Sequence, residues 1–572
     1  MKNSWSHPNC KRLFVTKIVN NFGAPGIINL RSKLYLLLWM AYLIMLTLRI
    51  TAHKFESICT PNSYQKHREL KKEFEIKFDK YASSKEHGSF DFDIELVDKA
   101  VMNLKKGKTS DYDGITAEHF LYAHPAVTSV ILKLFQLIVK YGIVPDGFCN
   151  GLTFPVPKSS SRCHTASADD FRPITICPVM SKTFEYCLLL KLEKLMKTST
   201  RQFGFKKGTG CNHATYLLKE TIDYYTENNS NVSLGLLDLS KAFDKVNHFG
   251  LLMKLMERNV HPNVIKVLVY WYSRISTCVV WNGCRSIKVI LKSGIKQGGI
   301  LSPHFFSVNV DELLKQLEES NIGCYVRGFC LNSLMYADDL VLIAITIKDL
   351  KLLMQICIEY FDKNDMPLNI SKSKCMRFGN RYKLACSPIT CKYGIMDWVC
   401  TAKYLGIYIV SGKRLSVNCD EAKKIFYGAF NAIYGRIGSK GTIDITLSLL
   451  RSVCTPIITY GMEILCSKNS TVLSRLSKTY DRAWMNIFST FDVQIIRQCQ
   501  FFTGYLPLSY QIAFRRVCFL DKFSCHPNPD LRALYSCFLQ HTDLSAKYSL
   551  NENDSWLMIK RKLFKHFESS FE

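Results

Sequence analysis

The 572-residue chain contains no C-x-x-C pair, no internal repeat, no long low-complexity tract and no apolar run of full bilayer length. Its 23 cysteines are odd in number and scattered, which excludes a secreted disulfide framework. They read instead as reduced, mostly buried thiols of a cytosolic or nuclear protein. The densest group of metal-ligand types, Cys518, Cys525, His526, Cys537 and His541, follows no familiar zinc spacing. Acidic residues are scarce, 48 against 75 basic ones. The resulting formal charge of +27 points to an extended polyanion, nucleic acid before an anionic membrane surface, over a small neutral substrate. With 47% hydrophobic and 22% charged residues the chain has the composition of a folded protein, long enough for two to four domains.

The longest apolar run, "LYLLLWMAYLIMLTL" (34–48), has 15 residues between basic flanks. A comfortable span needs ~20, so a buried helix is the default reading and a signal anchor the alternative. A charged stretch from Ser63 to Ser89 reads as a solvated helix or linker. Compact patterning starts near Phe90, where Ile94, Val97, Val101 and Leu104 recur at helical spacing. The apolar run Val232–Leu237 suits a buried strand that meets its first acid at Asp238. In "SLMYADDLVLIA", two apolar runs joined through Ala337, Asp338 and Asp339 suit a tight hairpin. Helices are expected at "HFGLLMKLMERN" and "AKKIFYGAFNAIYGRI", so the fold class is α+β.

Asp338 and Asp339 lie 100 residues beyond Asp238, yet two strands of one sheet can bring all three to one edge. Converging carboxylates raise one another's proton affinity unless cations sit among them. Magnesium takes oxygen ligands, few of them from protein, and two ions ~3.5–4 Å apart can serve in-line phosphoryl transfer. The bland reading of the same acids is a pair of solvated turn residues.

Order and context decide between these readings. "KTSDYDGITAEHF", "GLTFPVPKS", "DDFRPITICPVMSKTFEYCLLLKL", "QFGFKKGTG", "LLDLSKAFD", "GIKQGGILSP", "YADD", "LNISKSKCMRFG" and "KYLGIYI" occur in that sequence between about Phe90 and Ile409. Together they resemble the palm and fingers blocks of reverse transcriptases, the non-LTR retrotransposon (LINE-type) group in particular. The resemblance implies a right-hand polymerase with fingers, a palm with an antiparallel sheet, and a helical thumb. It implies an RNA-directed DNA polymerase, a nucleotidyltransferase, that extends a primer 3′-OH with two Mg2+ ions, Mn2+ being a substitute. RNA template, DNA primer, dNTPs and the element's own RNA are the implied partners. Oligomeric state is left open, and nuclear and cytoplasmic localisation is implied. The division that follows is a leader and charged linker over 1–89, fingers and the start of the palm over 90–230, palm over 231–412, thumb over 413–500 and a C-terminal extension over 501–572. No segment resembles the endonuclease that usually accompanies such a polymerase, so that domain is read as absent. A catalytically inactive nucleic-acid-binding relic is the alternative. A maturase or telomerase lineage is disfavoured, since neither a Cys/His endonuclease module nor a large RNA-binding extension is recognised.

Residue by residue, the resemblance makes Asp238, Asp338 and Asp339 metal-binding and catalytic, with the Leu239 carbonyl a further metal contact. Phe243 is the implied steric gate beneath the incoming sugar. Gln297 and Gly298 border the template and nascent pair. Lys158 and Arg172 supply charge for the triphosphate. Lys372 is aligned with a lysine proposed to protonate departing pyrophosphate, with Lys374 the neighbouring alternative. From Lys413 to Arg516 fourteen basic residues face six acidic ones, as a thumb that grips phosphates would need. Its aromatics Phe426, Phe430, Tyr434 and Trp484 read as core.

Overall fold

The computed structural model describes residues 45–84, 88–158, 170–239, 241–326, 328–366, 368–437, 442–466, 471–523, 526–537, 540–551 and 554–570. Most of the apolar run 34–48 lies outside them; 45–48 belong to a helix that continues to 58. Among the described residues no helix is long and apolar enough to cross a membrane. The chain divides into two compact units, each assembled from several stretches: 1–197, 241–309 and 364–366 in the first, and 198–240, 310–363 and 367–572 in the second.

In the first unit the charged stretch is a helix, Tyr64–Ser83, whose start is fixed by the Ser63 hydroxyl accepting from the Lys66 N–H. The next helix, Ile94–Met102, is capped in the same way by Asp93. It buries Val97 and Val101 as its spacing predicts, but it stops before Leu104 and leaves Ile94 exposed. The sheet of this unit pairs Asn150–Pro157 antiparallel with Phe171–Ile176 and parallel with Ser276–Trp281. Three buried threonines cross it: the Thr153 hydroxyl bonds those of Thr175 at 2.8 Å and Thr277 at 2.6 Å. Hydroxyls that satisfy one another can be buried at little cost. An aromatic cluster of Phe92, Phe135, Phe148, Phe184 and Trp271 fills the core beside them.

The second unit is built on a six-stranded sheet. Its central strand, Val232–Asp238, lies between the antiparallel strands Asp339–Ala344 and Lys374–Phe378. Ser333–Tyr336 closes one side as the hairpin partner of Asp339–Ala344. On the other side Gly394–Trp398 runs parallel to Lys374–Phe378, so the sheet is mixed and not wholly antiparallel as anticipated. The central strands read as continuous apolar runs because both faces are covered. Leu234, Val341, Ile343, Met376 and Phe378 are all buried in one core with Leu217, Phe426, Phe430 and Trp484. The last three are thus core aromatics of the helices Asp420–Ile437 and Thr471–Phe488, as their apolar spacing suggests.

Candidate functional site

The two predicted strands are antiparallel neighbours in one sheet. Asp339 is the direct cross-strand partner of Asp238, and it is also paired with Tyr336 across the hairpin. Asp338 occupies the turn between them. All three aspartates are half-buried. Burial raises the Asp339 pKa to about 6, and the charges of Asp338 and Asp238 push it in the same direction. These carboxylates therefore raise one another's proton affinity, a cost that a cation among them would relieve.

The backbone around each carboxylate is held. The Asp238 N–H donates to the Ser373 hydroxyl at 3.1 Å, and its C=O accepts from the Asn369 N–H at 2.9 Å. Ser373 in turn donates to the Asn369 carbonyl at 2.8 Å. Leu239 is buried and its backbone bridges to Leu368. Lys372 is exposed within this Asn369–Ser373 turn, so the structure brings it to the Asp238 end of the sheet. Lys374, the alternative, is committed to an ion pair with Asp397 at 2.9 Å.

The hairpin turn rests on a second support. Ala337 has φ +56°, a left-handed conformation that costs an L-residue about 1–2 kcal/mol. Gln202, fully buried, accepts from the Ala337 N–H at 3.1 Å and from the Gly204 N–H at 2.9 Å, while its amide donates to the Ala337 carbonyl at 3.4 Å. A Cβ on Gly204 would lie 2.4 Å from the Ala337 nitrogen, so only glycine lets the two backbones approach this closely. The flanking peptides complete the contact: Phe203 N–H donates to the Met335 carbonyl, and Met335 N–H to that of Arg201. The block "QFGFKKGTG" stands out in the sequence, but nothing local in it points to these roles of Gln202 and Gly204, and the same holds for Asn369 and Ser373.

The remaining predicted residues belong to the first unit, where several share a neighbourhood. Phe243 is half-buried and stacks on Phe306, with ring centroids 4.6 Å apart. Its carbonyl accepts from the Ile295 N–H. Gln297 donates from its side chain to the neighbouring Asp244 at 3.4 Å, and its carbonyl accepts from the Thr175 N–H at 2.9 Å. Gly298 has φ +142°, and a Cβ there would lie 2.0 Å from the Thr175 oxygen. Thr175 is on the strand of Arg172, whose side chain is exposed. Lys158 is exposed at the end of the partner strand and lies within electrostatic reach of Asp244. Burial raises Asp244 to about 6, against the opposing pull of Lys241, the Gln297 hydrogen bond, Lys245 and Lys158.

The three aspartates fit a hard divalent cation in donor type and in the repulsion that a cation would relieve. As the side chains stand, no group of three or more His, Cys, Asp or Glu among the described residues closes into a metal-holding cluster. Of the cysteine–histidine group, Cys525 lies outside the described residues. Both ring nitrogens of His526 are taken, Nε2 by the Gly208 carbonyl at 3.1 Å and Nδ1 by the Asn528 N–H at 3.0 Å.

Residues 156–409 match the family described as reverse transcriptase (RNA-dependent DNA polymerase). This stretch is a reverse transcriptase domain. The α+β right-hand polymerase class and the LINE-type affinity read from the sequence agree with that match. The chain is 26% identical over 325 residues to the Pol polyprotein of the type-2 retrotransposable element R2DM of Drosophila melanogaster, covering 55% of this chain and 30% of that protein. It is 25% identical over 383 residues to a Pol polyprotein of the type-1 element R2 of Popillia japonica, covering 65% and 50%. The chain thus spans half or less of the length of these relatives. The solved telomerase of Candida tropicalis aligns with 51% of this chain and 60% of its own at a TM-score of 0.34 and 15% identity, too loose a likeness to carry an argument. Reverse transcriptases as a family depend on divalent metal.

Proposed function

We propose that this chain is an RNA-directed DNA polymerase of a non-LTR retrotransposon, adding dNTPs to a primer 3′-OH on an RNA template. The observation that carries the reading is the pairing of Asp238 with Asp339 beside Asp338 at the end of a buried sheet. Such a cluster of half-buried carboxylates is unfavourable alone and useful around cations.

Asp238, Asp338 and Asp339, with the Leu239 carbonyl, would hold two Mg2+ ions, or Mn2+ in their place. When bound, these supply charge to activate the primer hydroxyl and to stabilise the departing oxygen. The rest falls to the chain. Asn369, Ser373 and Gln202 hold the backbone on which the three carboxylates are mounted. The exposed guanidinium of Arg172 and the ammonium of Lys158 neutralise triphosphate, the former as a planar fork and the latter as a point charge. Phe243, braced by Phe306, excludes a 2′-hydroxyl. Gln297 and Gly298, held against the Thr175 backbone, border the template–primer pair. Lys372 is the donor for pyrophosphate. The surplus of basic residues in 413–516 favours sequence-independent phosphate contacts of a thumb. The order fingers, palm, thumb and C-terminal extension along 90–572 belongs to this proposal, as does action in the nucleus.

Primer extension by the purified chain on poly-rA with oligo-dT tests the reading. Wild type should extend in Mg2+ and not in EDTA, and Asp338→Asn should lose at least about 10³-fold in rate while retaining RNA affinity. Extension by Asp338→Asn at the wild-type rate would overturn the mechanism.

A further inference from the structure

A cavity of about 290 Å³ lies in the second unit, lined by residues of the C-terminal helices that the carboxylate site does not use. Its walls come from the segment Arg451–Pro456, the turn Gly504–Leu506, the helix Leu508–Leu520 and the helix Trp556–Glu568. Three of the lining residues are cationic, Arg451, Arg515 and Lys560, and three are aromatic, Tyr505, Phe514 and Trp556. Among the described residues no Asp or Glu lines it. The Arg515 guanidinium donates to the Thr459 hydroxyl at 2.8 Å and stands 4.0 Å from the buried Glu463, which orients it without removing it from solvent. The Arg451 guanidinium lies over the Tyr505 ring at 6.0 Å.

The combination is selective. An apolar partner would bring no anion to Arg451 and Lys560, and a bare polyanion would not use the aromatic faces. Trp556 is the decisive member: its side chain, in the first turn of its helix, is 65% exposed at the rim of the cavity. An indole left in water at the mouth of a basic pocket is a platform for a flat ring that arrives with a negative charge. A nucleotide has both parts, and base–aromatic stacking beside backbone phosphates is how single strands are held without sequence preference. A base inside a duplex presents no free face.

We infer that this pocket binds one unstacked nucleotide of a single-stranded nucleic acid, the base on Trp556 and the phosphate between Arg451, Arg515 and Lys560. The site rests on the pocket's chemistry and not on polymerisation, so the full chain carrying Asp338→Asn is the right background. Its affinity for a fluorescent 12-mer oligouridylate and for a blunt-ended RNA hairpin is measured by anisotropy, without dNTPs. Adding Trp556→Ala should weaken the 12-mer by about tenfold or more and leave the hairpin unchanged, while Trp556→Phe retains most of the binding. Arg451→Glu with Lys560→Glu should weaken the 12-mer further. A 12-mer thymidylate arm reads the sugar, and binding of either strand supports the pocket. Unchanged 12-mer affinity in Trp556→Ala overturns the inference. So does an equal loss for the hairpin. Circular dichroism melts identical to the background exclude unfolding as the cause of a loss. If wild type fails to extend a primer but the Trp556 effect persists, the polymerase reading falls and the pocket stands.

Discussion

The buried side chain of Gln202 holds the peptide of Ala337 on both sides, accepting from its N–H at 3.1 Å and donating to its carbonyl at 3.4 Å. Ala337 immediately precedes Asp338, so the bond fixes the backbone from which the two hairpin carboxylates project. Gln202→Leu keeps the volume and removes the polar grip. The expected result is a loss of about 10–100-fold in kcat with little change in KM for dNTP, since an ångström-scale misplacement of a catalytic group costs this much. Gln202→Glu, which can accept from Ala337 but not donate, should fall between. Single-nucleotide extension kinetics check this, and an equal fall in stability and rate across the variants would make Gln202 merely structural.

The paired supports on Asp238 allow a graded test. Ser373→Ala removes the acceptor for the Asp238 N–H and leaves the Asn369 contact in place. A buried donor left unmatched costs about 1–3 kcal/mol. The variant should therefore melt at lower denaturant and lose several-fold in extension rate, and raising Mg2+ should recover part of the rate. No recovery at any Mg2+ concentration would separate Ser373 from the metal site.

Phe243 is predicted to discriminate between sugars. Phe243→Ala removes the ring stacked on Phe306 and should raise ribonucleotide incorporation relative to deoxyribonucleotide by about 10-fold or more. Competition between labelled UTP and dTTP on poly-rA measures the ratio. An unchanged ratio would return Phe243 to plain packing.

Asp244 predicts a pH dependence. Its carboxyl is buried and raised to about 6, above the ordinary range near 4. The native state then binds a proton more readily than the unfolded chain, so the cost of its charge is fully present above about pH 6 and disappears as pH falls toward 4. Asp244→Asn should stabilise the chain at pH 8 by about 1–3 kcal/mol, with the gain vanishing near pH 4. Urea melts at both pH values check the sign. A gain that persists at pH 4 would exclude titration of Asp244 as its source.

In the helical part, Arg497 grips Asp481 with both guanidinium ends at 2.8 Å. Asp481 is buried, so Arg497→Ala leaves a charge without its partner and should cost about 2–4 kcal/mol. Arg497→Lys, unable to form the fork, should recover only part. A change below 0.5 kcal/mol, the scale of an exposed pair, would contradict the burial.

What the sequence makes legible here is whatever a short window encodes. The hairpin at Asp338–Asp339 and the strand ending at Asp238 are visible because apolar runs broken by acids leave few other folds. The supports are not. Gln202 lies 135 positions from Ala337, and a glutamine beside a phenylalanine gives no local sign of where its amide will go. Ser373 and Asn369 sit in a polar stretch that reads as an ordinary turn. The parallel pairing of Lys374–Phe378 with Gly394–Trp398 is likewise decided by the connection between them and not by either strand's pattern. Composition places His526 among cysteines, whereas backbone groups of Gly208 and Asn528 occupy its ring.

Neighbouring positions on an extended strand face opposite ways, so the alignment of Asp238 with Asp339 can only be right or wholly wrong. Moving one strand along its neighbour by a single step would turn a carboxylate into the hydrophobic interior and bring a leucine out in its place. Insertions or deletions of one residue within either strand should therefore abolish synthesis outright, whereas the same changes in the surface loops should be tolerated.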